Sequence, residues 1–197
     1  GTRQLLMRDI EDVSEMTGEK CTGGGSGSAG CQDLANNIYL NKDFEDDNIN
    51  GCNWVTFNVV GSTNWTTSFF GGTNFAKITN WNGSANTAAE SWLISPAVDL
   101  SSSTTPKLSF TNVANYNEPG LKVLVSTNYS GSGDPSSATW TDISAQATLD
   151  TDLSQWDNFG DYNSNVDLSS FKSVTTYVAF KYVGTDSDGS TQEIDDI

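Results

Sequence analysis

The sequence offers carboxylates and aromatic rings for chemistry and withholds imidazole. Its 197 residues contain no His, which removes the commonest general base, the Ser–His and Cys–His nucleophile pairs, and imidazole-ligated zinc. Carboxylates are abundant, with Asp+Glu 25 against Lys+Arg 9 and a formal net charge of -16. Asp43 and Glu45 stand two apart around Phe44, so in an extended segment both point to one face. Asp195 and Asp196 lie between Ile194 and Ile197, and the last basic residue before them is Lys181. Paired carboxylates serve glycoside hydrolysis without His. Glu90, Asp99, Glu118 and Asp161 are available, but no spacing selects two of them. Ser95 precedes Pro96 with no base and no nucleophile elbow around it, so a serine hydrolase is excluded. The chain is not expected to be an enzyme.

Asp46-Asp47-Asn48-Ile49-Asn50-Gly51 matches the first half of an EF-hand loop, yet the twelfth position, where a bidentate Glu belongs, is Phe57. A turn rich in Asn and Asp describes it better, and Asp186-Ser187-Asp188-Gly189 likewise reads as a hairpin turn. Trp54, Trp92 and Trp140 lie in or beside apolar runs and are expected to pack. Trp65, Trp81 and Trp156 sit among Asn, Thr, Gly and Asp. Such an indole either caps an end of the fold or stacks on a sugar ring whose hydroxyls bond to the neighbouring polar groups. Capping is expected for Trp65. Trp81, Trp156 and Tyr116 are the candidate ligand contacts.

The elements that position these residues are strands. From Ile38 onward, short apolar runs recur between clusters of Gly, Asn, Ser, Asp and Thr, as in a sandwich. They are 38–44, 54–60, 75–78, 91–94, 107–112, 121–126, 140–143 and 175–182. Leu108 and Phe110, then Leu121, Val123 and Val125, alternate with period 2, whereas 144–157 reads as irregular or loosely helical. The expected fold is all-β, a jelly-roll β-sandwich of two antiparallel sheets. Its core draws on Trp92, Leu93, Phe110, Leu121, Val123, Val125, Val178 and Phe180. Residues 1–36 form an N-terminal extension, with 37–197 as the sandwich. Within the extension 4–10 suits a strand, 11–16 a helical turn, and 22–30 is a Gly/Ser linker by composition. Three Cys are present. A Cys21–Cys31 disulfide would close the glycine segment; alternatively all three are reduced and packing pins the loop.

The charge disfavours DNA, RNA and anionic lipid. No run approaches the ~18 apolar residues of a membrane helix. No charged and apolar leader opens the chain, so an export signal is expected to be removed or never present.

The order of Tyr39-Leu40-Asn41-Lys42-Asp43-Phe44-Glu45, Trp54, Trp65, Ser91-Trp92-Leu93-Ile94-Ser95-Pro96-Ala97-Val98-Asp99-Leu100, Val178-Ala179-Phe180-Lys181-Tyr182 and Ile194-Asp195-Asp196-Ile197 resembles the choice-of-anchor J and cleaved-adhesin domains of Bacteroidetes surface proteins. These are relatives of the MAM domain. The resemblance covers about 38–197, and the head Gln4-Leu5-Leu6-Met7-Arg8-Asp9-Ile10-Glu11-Asp12-Val13 is similar to the tail of a different domain. It implies a secreted or surface-anchored module that binds a glycan or a surface protein, without catalysis, with a structural spacer as the alternative. It also implies structural calcium. Such domains pair the first strand with the last, which would gather Asp43, Glu45, Asp195 and Asp196 where no basic side chain is at hand. The competing reading of these four acids is a solvated strand edge.

Overall fold

Among the described residues ten strands carry the fold, and the only helical content is in short 3-10 turns. The computed structural model describes residues 31–197. The chain divides into two compact units, Gly1–Asn41 and Lys42–Ile197. In the first, a 3-10 turn at Leu34–Asn36 is closed by an Asp33–Ile38 bridge. The expected strand at 4–10, the turn at 11–16, the linker at 22–30 and Cys21 lie outside the described residues. Cys31 and Cys52 are both disulfide-bonded, which overturns the alternative of three reduced cysteines.

The second unit is an all-β jelly-roll sandwich. Its strands are β1 (Val55–Val60), β2 (Thr66–Phe70), β3 (Thr73–Thr79), β4 (Ala89–Ile94), β5 (Lys107–Tyr116), β6 (Lys122–Ser126), β7 (Thr141–Asp142), β8 (Asn163–Asp167), β9 (Tyr177–Gly184) and β10 (Ser190–Asp195). One sheet has the order β1-β4-β9-β6-β7 and the other β2-β3-β10-β5-β8. All pairings between them are antiparallel. The eight residues expected in the core are all buried. Phe180 of β9 meets Phe110 of β5 edge-on at 5.0 Å and lies near-parallel to Trp54 at 6.3 Å, so these rings fill the space between the sheets. Trp65 is buried as well. The indole N–H groups of Trp54 and Trp65 have no partner among the described residues, a cost of about 1–3 kcal/mol each that the packing must offset.

The segment 38–44 is not the strand that its apolar pattern predicts. Phe44 has φ 56 and Asp47 φ 49. The Asp43 carboxylate accepts from the Glu45 N–H, Asp46 from Asn48 and Asn48 from Asn50. Short Asp and Asn side chains thus offer the backbone local partners that compete with a ladder, and the run folds into successive turns. Asp43 and Glu45 therefore do not share a strand face. What survives of first-to-last pairing is one reciprocal pair of backbone bonds, Lys42 N–H to Ile197 O and Ile197 N–H to Lys42 O.

A buried polar knot holds one end of the sandwich. Asn80, just after β3, is 1% exposed. Its Nδ2 donates to the carbonyls of Thr87, Thr185 and Asp188 at 2.8–3.1 Å, and its Oδ1 accepts from the Tyr182 hydroxyl at 3.0 Å. A Cβ on Gly189 or Gly184 would stand 2.0 and 2.5 Å from the Asn80 side chain, so both positions are restricted to glycine by close approach.

Candidate ligand-binding face

The outer face of the second sheet is assembled by register. Thr191 of β10 lies opposite Thr79 of β3 on one side and Asn115 of β5 on the other. One pleat along, Glu193 lies opposite Lys77, and their side chains meet at 3.0 Å. Directly paired residues share a face, and so do residues two apart. A polar row, Thr79–Thr191–Asn115, therefore crosses three strands beside the Lys77–Glu193 pair. Phe75, Lys77, Thr79 and Trp81 follow one another with period 2. The buried Asn80 between the last two turns Trp81 outward, and it is 52% exposed.

A loop delivers the other aromatic wall. β8 pairs with β5 only as far as Thr111, and beyond that point the 148–162 segment takes over the free edge. Asp150 accepts from the Ala114 N–H at 2.8 Å, and the Asn112 N–H donates to Tyr162 O. From that anchorage the segment reaches across the sheet. Phe159 packs on Phe75 at 5.3 Å, and Trp156 lies under the Lys77 ammonium, 5.6 Å from its ring centre. This explains why the outward-facing Thr191, Glu193 and Asp195 of β10 are buried. Tyr116, at the end of β5, stands perpendicular to Trp156, with centroids 6.1 Å apart and planes at 86°. Burial raises the pKa of Glu193, and the Lys77 ammonium works against that rise.

Tyr116 and Trp156 remain 58% and 42% exposed. Among the described residues, the Tyr116 hydroxyl, the Trp81 and Trp156 indole N–H groups, the Thr191 hydroxyl and the Asn115 Nδ2 have no hydrogen-bond partner. The last two still reach solvent, although their residues are buried. The structure thus brings Tyr116 and Trp156 into contact and puts Trp81 on the same face at the far side of the row. Lys77, Glu193, Thr79, Thr191 and Asn115 were not singled out from the sequence. The Phe75-Lys77-Thr79-Trp81 alternation is the signal that could have found the β3 residues. Phe69 and Phe70 are exposed at the Gly71–Gly72 turn and carry no polar atom; Phe70, opposite Thr73, lies at the far margin of this face.

Of the four acids expected to hold calcium, Glu45 and Asp195 meet at a threonine. The Thr73 hydroxyl bonds Glu45 at 2.7 Å and Asp195 at 3.3 Å, and the Asn74 N–H donates to Glu45 at 2.8 Å. These donors lower the Glu45 pKa. Asp195 is pushed up to about 7, chiefly by burial, with the charges of Asp196 and Glu45 adding to the rise. Asp43 is turned onto its own backbone, and Asp196 sits at φ 52. Among the described residues, no three Asp, Glu or Cys side chains form a group that could hold a metal ion.

The acids considered for hydrolysis sit apart. Glu90 pairs with Lys181 and accepts from Trp92 Nε1, and Asp99 bonds Ser101. Glu118 accepts from the Gly120 N–H, and Asp161 from Asn158. No two of them share a partner.

Fold and face together define a jelly-roll β-sandwich module with an aromatic, polar-floored outer surface. The chain belongs to the DUF5017 family, a domain of unknown function, which it matches over residues 41–195. No curated protein matches it. Among solved structures it is similar to the K3 cleaved adhesin domain of Lys-gingipain from Porphyromonas gingivalis W83. That likeness has 23% identity and TM-score 0.53, covering 80% of this chain and 95% of that one. The K1 cleaved adhesin domain of the same protein matches at 18% identity and TM-score 0.49, over 80% and 94%. A carbohydrate-binding module of the β-sandwich superfamily matches at 12% identity and TM-score 0.42, over 78% and 58%. The cleaved-adhesin resemblance is thus upheld at the level of the fold; the choice-of-anchor J label finds no support in these matches.

Proposed function

We propose that the domain is a non-catalytic glycan-binding module working outside the cell, and that its ligand lies on the outer face of the second sheet. One observation carries the reading. Tyr116 and Trp156, next to Asn115 of the polar row, keep their rings exposed and their polar atoms unengaged. Exposed Tyr and Trp give large contact area at low conformational cost, and each adds a polar handle to an apolar body. Sugars need both, because their ring faces are apolar and their rims are hydroxylated. Disulfide-bonded Cys31 and Cys52 fit an oxidising compartment. Among the described residues no helix is long and apolar enough to cross a membrane.

Screening the protein and its Trp156→Ala and Tyr116→Ala variants on a glycan array tests the reading. Binding by the parent, lost in both variants with the melting temperature retained, is expected. Binding that both variants keep would move the site elsewhere. An array with no bound glycan would favour the spacer role.

A further inference from the structure

Building on that glycan reading, we propose that the face takes the end residue of an uncharged glycan chain, seated in the corner between Tyr116 and Trp156. A ligand running along a flat surface needs coplanar rings. Tyr116 and Trp156 stand at 86° with centroids 6.1 Å apart, so one sugar ring stacks on one of them and meets the other edge-on. The second ring is a wall that a continuing chain would have to pass through.

On the opposite side of the face the arrangement differs. Trp81 lies beyond the β3 end of the Thr79–Thr191–Asn115 row, on a two-residue extension of that strand. From β3 to β5 is two strand spacings, roughly 10 Å. A short run of sugars spans that distance from the corner to the exposed Trp81, passing over the buried Thr191 and Asn115. The chain enters over Trp81 and stops at Tyr116 and Trp156.

The charge of the ligand follows from Lys77. Its ammonium already occupies the cation position over the Trp156 ring and is held there by Glu193 at 3.0 Å. A cationic ligand would have to displace it. An anionic one meets a chain of formal charge -16 whose cation on this face is already paired. Neutral hydroxyls match the unengaged donors of Trp81, Trp156, Tyr116, Thr191 and Asn115.

Calorimetric titration with gluco-, xylo-, manno- and galacto-oligosaccharides of one to six residues, with the matching neutral polysaccharides, and with polygalacturonate and heparin tests this. The expected result has affinity rising up to about three residues and then level, and one protein bound per polysaccharide chain. Trp156→Ala should weaken every length by roughly tenfold, which is about 1.4 kcal/mol, and Trp81→Ala only the lengths beyond one residue. Affinity that keeps climbing with length, or several proteins on one chain, would overturn end recognition and leave the glycan reading standing. Tight binding of polygalacturonate or heparin would overturn the neutral-ligand part. No binding of any sugar would remove the glycan reading itself and this inference with it.

Discussion

On the outer face of the β1-β4-β9-β6-β7 sheet, Trp92 packs against Trp140 at 5.3 Å, Trp140 against Tyr129 at 5.5 Å, and Tyr129 against Tyr177 at 5.2 Å. The polar atoms of Trp92, Trp140 and Tyr129 are engaged within the protein. Trp92 Nε1 donates to Glu90, Trp140 Nε1 to the Pro135 carbonyl, and the Tyr129 hydroxyl to the Gly133 carbonyl. Burial raises the Tyr129 pKa accordingly. The outer face of the other sheet is roofed by a loop of similar composition, yet Tyr116 and Trp156 keep both their exposure and their free polar atoms. A Lys over a Trp and paired with a Glu appears on each face, as Lys181–Trp92–Glu90 and as Lys77–Trp156–Glu193. The same side-chain chemistry therefore does two jobs. Where the loop closes over the rings, they serve as core. Where it leaves them open, they are equipped for a ligand.

Truncating one ring on each face separates the two jobs. Trp92 is 5% exposed, and its removal opens a cavity under Trp140 and the Ile94–Leu124–Ala179 cluster. Trp92→Ala should cost about 3–5 kcal/mol in a urea melt. Trp156→Ala should cost under about 1 kcal/mol in the same melt while weakening ligand binding by roughly tenfold. Equal stability losses would show that both faces are core and that the exposed pair is not a binding device.

The polar knot gives the next largest effect. Asn80→Ala leaves the Thr87 and Thr185 carbonyls without their partner, each buried orphan costing about 1–3 kcal/mol, whereas the Asp188 carbonyl keeps the Thr185 N–H and the Tyr182 hydroxyl keeps the Ser190 carbonyl. Asn80 stands directly before Trp81 in the chain. A loss of roughly 2–3 kcal/mol, accompanied by weakened binding, would mean that the open face depends on a closed scaffold beneath it. Unchanged stability would mean that water replaces the amide.

Apolar strands were legible in the sequence and polar ones were not. β4, β5, β6 and β9 announce themselves through Leu93, Phe110, Val123 and Phe180. β10, Ser-Thr-Gln-Glu-Ile-Asp, has no alternation, because its inward Gln192 is satisfied by Ser190 and Asn112 rather than by apolar packing. β8 is equally polar. β2 carried a readable signal, Phe70-Gly71-Gly72-Thr73, in which two glycines at positive φ make the two-residue turn of a hairpin. At the candidate site the exposed aromatics could be named from their polar neighbourhoods. Their contacts could not, since Trp156 reaches Tyr116 and Lys77 only through a loop anchored by Asp150 on a strand edge.

The smallest expected effect concerns the carboxylates at the margin of the open face. The folded chain holds the Asp195 proton until about pH 7, whereas the unfolded chain releases it near 3.8. Folding therefore takes up a proton between those values, and stability falls as the pH rises through that window. Glu193, also raised by burial, contributes in the same direction. Glu45 works oppositely: its pKa is lowered, so its contribution is present above the unfolded value of 4.5 and disappears as the pH falls through its folded value. One pKa unit corresponds to about 1.4 kcal/mol, and 1 kcal/mol to about 2–4 °C in a domain of this size. Melting temperatures recorded from pH 5 to pH 8 in EGTA should fall by several degrees, and Asp195→Asn should flatten that slope. A slope that the variant retains would assign it to other groups. Calcium added at pH 8 decides between the two readings of these acids. A rise in melting temperature that Glu45→Gln and Asp195→Asn both abolish would establish a cation clamp between the chain's ends. No rise would leave Glu45 and Asp195 held by Thr73 and Asn74, with a proton rather than a metal ion relieving their repulsion.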